Sequence, residues 1–184
     1  MTKTSAIRAL SIGAGLSLSL ISQHALAIKV FACEPEWAAL TKELAGDQAS
    51  IYTATNALQD PHQVQAKPSL IAAVRNAELM VCTGAELEAG WLPVLLRQSG
   101  NPAVQAGQPA QFNAADYVRK LEVPTRLDRA DGDVHASGNP HIQTDPRNIA
   151  AVAQALAKRL SEVDATHATV YQARLADFNI RWSQ

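Results

Sequence analysis

The sequence lacks any run of basic residues, any internal repeat and, beyond its first 27 residues, any apolar run long enough to cross a membrane. The net charge of the 184 residues is −1, and it becomes −3 without the first 27, which hold two basic and no acidic residues. An acidic balance without a basic patch argues against a nucleic-acid partner. The missing apolar run predicts that the mature chain has no membrane span.

Signatures of the common enzyme classes are also missing. The sequence contains no H-E-x-x-H zinc-protease helix, no G-x-S-x-G nucleophile elbow and no G-x-G-x-x-G dinucleotide loop. We therefore predict that the protein is not an enzyme, and that it has neither a catalytic residue nor a site for an organic cofactor.

The first 27 residues have the pattern of a secretory signal peptide. Lys3 and Arg8 form a basic start, residues 9–21 are apolar apart from small Ser and Gly, and residues 25–27 (ALA) form a small-x-small cleavage site. We expect cleavage after Ala27, which leaves 157 residues, enough for one domain with a real core. The pattern predicts export to the periplasm.

The sequence contains only two cysteines, Cys33 and Cys82. They lie at the ends of the first and third predicted strands, which are neighbours if the strand order is 2-1-3, a common arrangement in doubly wound sheets. An oxidising compartment permits a disulfide between them. Two interpretations stay open, namely a disulfide or two small buried apolar side chains.

Strand-like and helix-like segments alternate after residue 27, which is typical of an α/β fold with a mostly parallel sheet. Residues 79–83 are nearly all apolar, as expected for a strand buried on both faces. The predicted strands are 28–33, 49–53, 79–83 and, as short segments, 110–112 and 117–123, and the predicted helices begin near Pro35, Pro68 and Pro93.

Residues 146–184 have apolar side chains at helical spacing, and they contain no Gly or Pro after Pro146. His167 falls on the same stripe of the predicted helix as these apolar side chains. Asp145 and Pro146 supply an N-cap and a first helical residue. We predict one continuous helix of about 58 Å from the rise per residue. Residues 28–145 would then form a metal-binding first lobe, and we expect the helix to connect it to a second lobe that this chain lacks.

Two histidines are predicted at the same edge of the sheet. His62 follows the second strand in the motif Asp60-Pro61-His62, and His141 ends a Gly-Asn-Pro turn just before the long helix. Ligands bind beyond the carboxyl ends of parallel strands, so both imidazoles can face one crevice. Neutral imidazoles suit zinc, whereas manganese favours additional carboxylates. We predict a metal centre that contains His62 and His141 and binds Zn²⁺, with Mn²⁺ as the alternative.

His135 and the acidic residues near this centre leave alternatives open. His135 either ligates the same metal ion or screens the crevice from solvent. Asp60 and Asp145 either support the histidines or have local roles in a turn and a helix cap, and for Asp145 we favour the cap. Glu86 and Glu88 are interpreted as surface carboxylates.

Three stretches together resemble the first lobe and connecting helix of the periplasmic solute-binding proteins of zinc and manganese ABC importers. They are the Asp60-Pro61-His62 motif, residues 84–88 (GAELE) with Trp91, and residues 138–141 (GNPH) with residues 145–146 (DP). The resemblance implies two α/β lobes joined by a rigid helix, metal bound between them, and the importer's membrane permease as partner. It also implies that His62 and His141 are the first-lobe ligands, and that the remaining ligands come from a second lobe.

Two other function classes remain open from the sequence. One is a small secreted zinc metallohydrolase with the metal on His62, His135 and His141 and with Glu86 or Asp133 as the base, because an open zinc position activates water. The other is a structural secreted protein in which the site is vestigial. A hydrolase substrate panel tests the first class, and zinc titration tests the second.

Overall fold

The computed structural model of the protein describes residues 26–128 and 135–184. Most of the predicted signal peptide and the candidate base Asp133 therefore lie outside the described residues. No helix in the described ranges is long and apolar enough to cross a membrane. The strands are β1 (Ile28–Ala32), β2 (Ala49–Thr53), β3 (Leu79–Cys82) and β4 (Gln111–Asn113), and the helices are α1 (Pro35–Ala45), α2 (Pro68–Arg75), α3 (Leu92–Ser99), α4 (Pro146–Val163) and α5 (Ala168–Trp182).

The four strands form one parallel sheet in the order β2-β1-β3-β4. Val30 of β1 is in register with Ile51 of β2 on one side and with Leu79 of β3 on the other. All four residues of β3 are buried, as expected for a central parallel strand covered on both faces. The predicted α/β fold with a parallel sheet and flanking helices is therefore confirmed.

Helices cover both faces of the sheet, and successive strand residues point to opposite layers. Val30 packs in the layer formed by α1, α4 and α5, whereas Phe31 packs in the layer formed by α2 and α3. Trp37 and Trp91, each about 1% exposed or less, are the largest side chains of the two layers. The core is thus split by the sheet into two apolar layers.

Cys33 and Cys82 form a disulfide, with their Cα atoms 4.8 Å apart. Cys33 directly follows β1, and Cys82 ends β3, the neighbouring strand. The 2-1-3 order that the bond requires is present, so the disulfide interpretation is confirmed. The bond ties the carboxyl ends of the two central strands together at the edge where the histidines lie.

The segment from Pro146 onwards is helical, but the prediction of one continuous helix is wrong. Helix α4 ends at Val163, Asp164 leaves the helical conformation with φ −133° and ψ 73°, and a 3₁₀ turn (Ala165–His167) leads into α5. The chain then folds back, and Trp182 Nε1 donates a hydrogen bond to the carbonyl of Pro146 at 2.9 Å. The segment is a helical hairpin and not a rod of about 58 Å.

Asp164 explains the break without any Gly or Pro. Its carboxylate accepts hydrogen bonds from His167 Nδ1 at 2.7 Å and from the hydroxyl of Tyr171. Asp is a poor helix former because its side chain competes for such local donors. His167 therefore lies in the hairpin turn rather than on an apolar stripe, and the fully buried Tyr171 closes the hairpin.

The predicted strand 117–123 is not formed. A 3₁₀ turn (Ala114–Tyr117) follows β4, and residues 118–123 contain no strand. Strand β4 pairs with β3 only as far as Cys82, where β3 ends, so this segment has no further edge to pair with. The first of the two short strands, predicted at 110–112, is confirmed as β4.

Candidate metal centre

The three predicted histidines come together beyond the carboxyl ends of the strands. The Nε2 atoms of His62 and His135 lie 3.2 Å apart, and the two rings are stacked with centroids 5.3 Å apart. The ring of His141 meets His62 edge-on, with centroids 5.7 Å apart. His141 is solvent-exposed and the other two are half-buried, so the cluster opens to solvent on the His141 side.

The Asp60-Pro61-His62 motif forms a turn that orients the His62 ring. Asp60 Oδ1 accepts hydrogen bonds from the backbone N–H of His62 at 2.9 Å and from its Nδ1 at 2.8 Å. The backbone bond and then the ring bond lower the pKa of Asp60, so the carboxylate stays charged. A proton held on Nδ1 leaves the lone pair of Nε2 available, as in carboxylate–histidine–zinc arrangements.

The segment between β3 and α3 packs against this turn and forms a hydrogen bond with it. Trp91 Nε1 donates a hydrogen bond to the carbonyl of Pro61 at 2.7 Å. A Cβ at Gly90 would lie 2.9 Å from the carbonyl oxygen of His62, so only glycine allows this approach. The histidine motif and the GAELE segment with Trp91 are therefore parts of one packed unit.

The turn before His141 is equally constrained. Gly138 has φ +96°, and a Cβ there would lie 2.8 Å from the carbonyl oxygen of Leu121. Asn139 Oδ1 accepts the backbone N–H of His141 at 2.9 Å, and the Asn139 N–H donates to Leu121. These bonds fix the His141 backbone just before α4 begins.

Asp145 caps α4 and does not reach the histidines. Its Oδ1 accepts the backbone N–H of Arg147 at 2.9 Å, and both of its carboxylate oxygens bind the Arg147 guanidinium. The guanidinium bond is the main reason that the pKa of Asp145 is lowered. The capping role favoured from the sequence is confirmed for Asp145, whereas Asp60 supports the imidazole of His62.

The spacing of His62 and His135 fits a shared metal ion. Zinc binds imidazole nitrogens at about 2.0–2.1 Å in a tetrahedral arrangement, which places two such nitrogens about 3.3–3.4 Å apart. The observed separation of the two Nε2 atoms is 3.2 Å. The arrangement can therefore accept a tetrahedral cation with only small side-chain adjustments.

Glu88 is not the surface carboxylate that the sequence suggested, since it is only 3% exposed. Its Oε1 accepts the backbone N–H of Thr83 at 2.8 Å, and its Oε2 accepts that of Gly84 at 3.1 Å. Glu34, which is 2% exposed, lies beside it, and burial is the main reason that the pKa of both carboxyls is raised. Glu34 was missed because a carboxylate at a helix start normally indicates a solvated cap.

Ligand atoms of Cys33, Cys82 and Glu88 lie within 4.8 Å of one another, and in the described ranges they are the one group of three or more His, Cys, Asp or Glu that does so. The disulfide occupies both sulfur atoms, so this buried group is not a metal site in the oxidised protein. Glu86, a candidate base in the metallohydrolase alternative, accepts the backbone N–H of Ala136 at 2.7 Å. The candidate metal centre is therefore the half-buried pair of His62 and His135 at ligand spacing, with the exposed His141 packed edge-on against His62.

Comparisons with known proteins identify the family of the chain. The family described as "Zinc-uptake complex component A periplasmic" matches residues 30–184. The manganese ABC transporter substrate-binding lipoprotein PsaA of Streptococcus pneumoniae serotype 4 is 25% identical over 154 residues, which cover 82% of this chain and 47% of that protein. The metal ABC transporter substrate-binding lipoprotein ScbA of Streptococcus cristatus is 25% identical over 139 residues, or 74% of this chain and 42% of that protein.

Solved structures give the same result. A crystal structure of ZnuA is 25% identical, with a TM-score of 0.68, and the match covers 85% of this chain and 56% of that one. A ZnuA deletion mutant with zinc bound is 26% identical with the same TM-score, and the match covers 85% and 55% of the two chains. The chain spans about half the length of the curated relatives it matches. It belongs to the family of zinc-uptake complex component A periplasmic proteins.

Proposed function

We propose that the chain is the metal-binding first lobe of a periplasmic solute-binding component of an ABC importer, with Zn²⁺ as its cargo. The observation that carries the proposal is the 3.2 Å separation between the Nε2 atoms of His62 and His135, with Nδ1 of His62 held by Asp60. The ring of His141 lies edge-on to that of His62, with centroids 5.7 Å apart, and it has to approach further to become the third ligand. The chain would receive the ion from solvent and present it to a membrane permease.

Zinc is favoured over manganese by the chemistry of the side chains that converge. All three candidate ligands are imidazoles, which suit zinc, whereas manganese prefers carboxylate oxygens. Among the described carboxylates beside these histidines, Asp60 binds the ring of His62 and Asp145 binds Arg147. The relative from S. pneumoniae is named as a manganese protein, so Mn²⁺ stays the alternative cargo.

Zinc competition against a chromogenic chelator tests this proposal. We expect His62→Ala, His135→Ala and His141→Ala each to weaken zinc binding, with the largest loss for His62→Ala, because its ring contacts both of the others. His167→Ala is the matched control, because this histidine lies in the hairpin turn and binds Asp164. Unchanged zinc affinity in a His62→Ala/His141→Ala double variant would contradict the proposed centre, and tighter binding of Mn²⁺ than of Zn²⁺ would contradict the choice of cargo.

A further inference from the structure

Glu86 lies in the loop between β3 and α3 and reaches the segment that carries His135. Its Oε2 accepts a hydrogen bond from the backbone N–H of Ala136 at 2.7 Å, across 50 positions of sequence. A hydrogen bond to an ionised carboxylate is roughly twice as strong as one between neutral groups. The bond therefore joins the loop after β3 to the backbone next to a candidate metal ligand.

The loop that carries Glu86 has an unusual backbone. Ala85 and Glu86 have φ of 49° and 71°, directly after Gly84 with φ 75°. Such left-handed conformations are unfavourable for residues with a Cβ, so the surrounding structure must hold them. The buried Glu88 does so by accepting the backbone N–H groups of Thr83 and Gly84. The carboxylate of Glu86 is thus presented from a fixed point.

The His135 segment has two backbone hydrogen bonds around this contact. The N–H of Ala136 donates to Glu86, and the carbonyl of His135 accepts the N–H of Gly138 at 3.0 Å. The second bond closes a local turn, and the first one joins that turn to the loop that carries Glu86. The Glu86 carboxylate thus holds the backbone next to His135, whose Nε2 lies 3.2 Å from that of His62.

We propose that Glu86 is a positioning residue for His135. Its carboxylate fixes the backbone at Ala136 so that the Nε2 of His135 stays at ligand spacing from the Nε2 of His62. This inference rests on the proposed function, because it concerns the same metal centre. It requires Glu86 to act through the backbone, without contact with the metal ion.

A double-mutant cycle on zinc affinity tests the coupling. Loss of a group that orients a ligand typically lowers metal affinity by about 10–100-fold, so we expect about a tenfold loss for Glu86→Ala. In the His135→Ala background the same change should cost less than about twofold, because the residue through which it acts is gone. An equal loss in both backgrounds would overturn the proposal, since Glu86 would then act as a ligand or as a distant charge.

Glu86→Gln is the matched control. The amide oxygen can still accept the Ala136 N–H, whereas the negative charge and the carboxylate ligand are lost. We expect this variant to keep zinc affinity within about threefold of the wild type, since neutral acceptors are weaker but have similar geometry. A loss as large as that of Glu86→Ala would overturn the positioning role in favour of a charge effect.

Amide hydrogen exchange without metal separates this inference from the proposed function. Glu86→Ala should accelerate exchange of the Ala136 amide, and Glu86→Gln should leave it close to the wild type. If the wild-type protein binds no zinc but Glu86→Ala accelerates Ala136 exchange and Glu86→Gln does not, the proposed function is wrong. The role of Glu86 in holding the backbone of the His135 segment is then still supported. Unchanged Ala136 exchange in Glu86→Ala would overturn the inference even if zinc binds.

Discussion

Glu34 and Glu88 follow different strands, yet both accept the backbone N–H of Thr83, at 3.3 Å and 2.8 Å. The hydroxyl of Thr83 also donates to Glu34 at 3.1 Å, while it accepts the indole N–H of Trp37 at 2.7 Å. Burial, then the charge of Glu88 and a hydrogen bond to it, raise the pKa of Glu34 to about 10. Two buried carboxyls this close hold at least one proton at neutral pH.

This pair predicts that stability falls as the pH rises. The carboxyl of Glu34 has a pKa of 4.5 in the unfolded chain and of about 10 in the folded one, so between these values the folded state binds more protons. Its contribution is fully present below pH 4.5 and is lost progressively towards pH 10, by at most about 1.4 kcal/mol per pH unit. Chemical denaturation at several pH values measures this slope.

Glu34→Gln should remove most of the pH dependence of the unfolding free energy, because the amide keeps the size and neutral character of the protonated acid. We expect the variant to resemble the wild type near pH 5 and to be more stable near pH 9. Glu36→Gln, a change of the same chemistry on the first turn of α1, is the control and should keep most of the wild-type slope, because the charge of Glu36 contributes least to the raised pKa of Glu34. A wild-type slope that persists in Glu34→Gln would contradict the assignment.

The disulfide should contribute strongly to the stability of this lobe. The cysteines are 49 positions apart, and constraint of a loop of this length is worth about 4 kcal/mol in the chain-entropy model. We expect the Cys33→Ala/Cys82→Ala variant to lose about 2–5 kcal/mol of unfolding free energy. Urea denaturation of wild type and variant, with and without a dithiol reductant, measures the loss. A reductant that destabilises both proteins equally would show that the effect is not due to this bond.

Asp60 should tune zinc affinity without contacting the metal ion. Asp60→Ala removes the acceptor of the His62 Nδ1 proton, so we expect a loss of about 10–100-fold in zinc affinity. Asp60→Asn keeps a neutral acceptor and should lose less. Asp47→Ala, which removes an exposed carboxylate from the turn between α1 and β2, is the control. Equal affinities of the wild type and Asp60→Ala would contradict the supporting role.

Most of the fold could be predicted from the sequence because its signals are local. Apolar runs predicted β1 to β3, and prolines at the helix starts predicted α1, α2 and α4. The hairpin turn could not be predicted from the sequence, because residues 147–184 contain no Gly or Pro and the apolar spacing continues past Asp164. What ends α4 there is a set of side-chain bonds from His167 and Tyr171, which become visible only in three dimensions.

The candidate site shows the same division between local and distant signals. The turns before His62 and His141 were readable, since Asp, Asn and Pro at these positions have known local roles. The sequence left the closeness of His135 to His62 as one of two alternatives, and the 3.2 Å between their Nε2 atoms favours the ligand role. Glu88 was misread because a Glu between Leu87 and Ala89 carries no sequence mark of burial.

The turn at Gly138 should be required for both stability and metal binding. Gly138→Ala places a Cβ 2.8 Å from the carbonyl oxygen of Leu121, at a φ of +96°. The positive φ alone costs about 1–2 kcal/mol, and the clash adds to it. Relief of that clash has to move the backbone of residues 138–141, so we expect zinc affinity to fall together with stability.

Gly107→Ala separates strain from the clash. Gly107 also has a positive φ, +82°, but a Cβ there would meet no atom within 4 Å. We therefore expect Gly107→Ala to lose only about 1–2 kcal/mol of unfolding free energy and to keep wild-type zinc affinity. Thermal denaturation and chelator competition on the two variants give both quantities. If Gly138→Ala loses no more zinc affinity than Gly107→Ala, the GNPH turn does not control the position of His141.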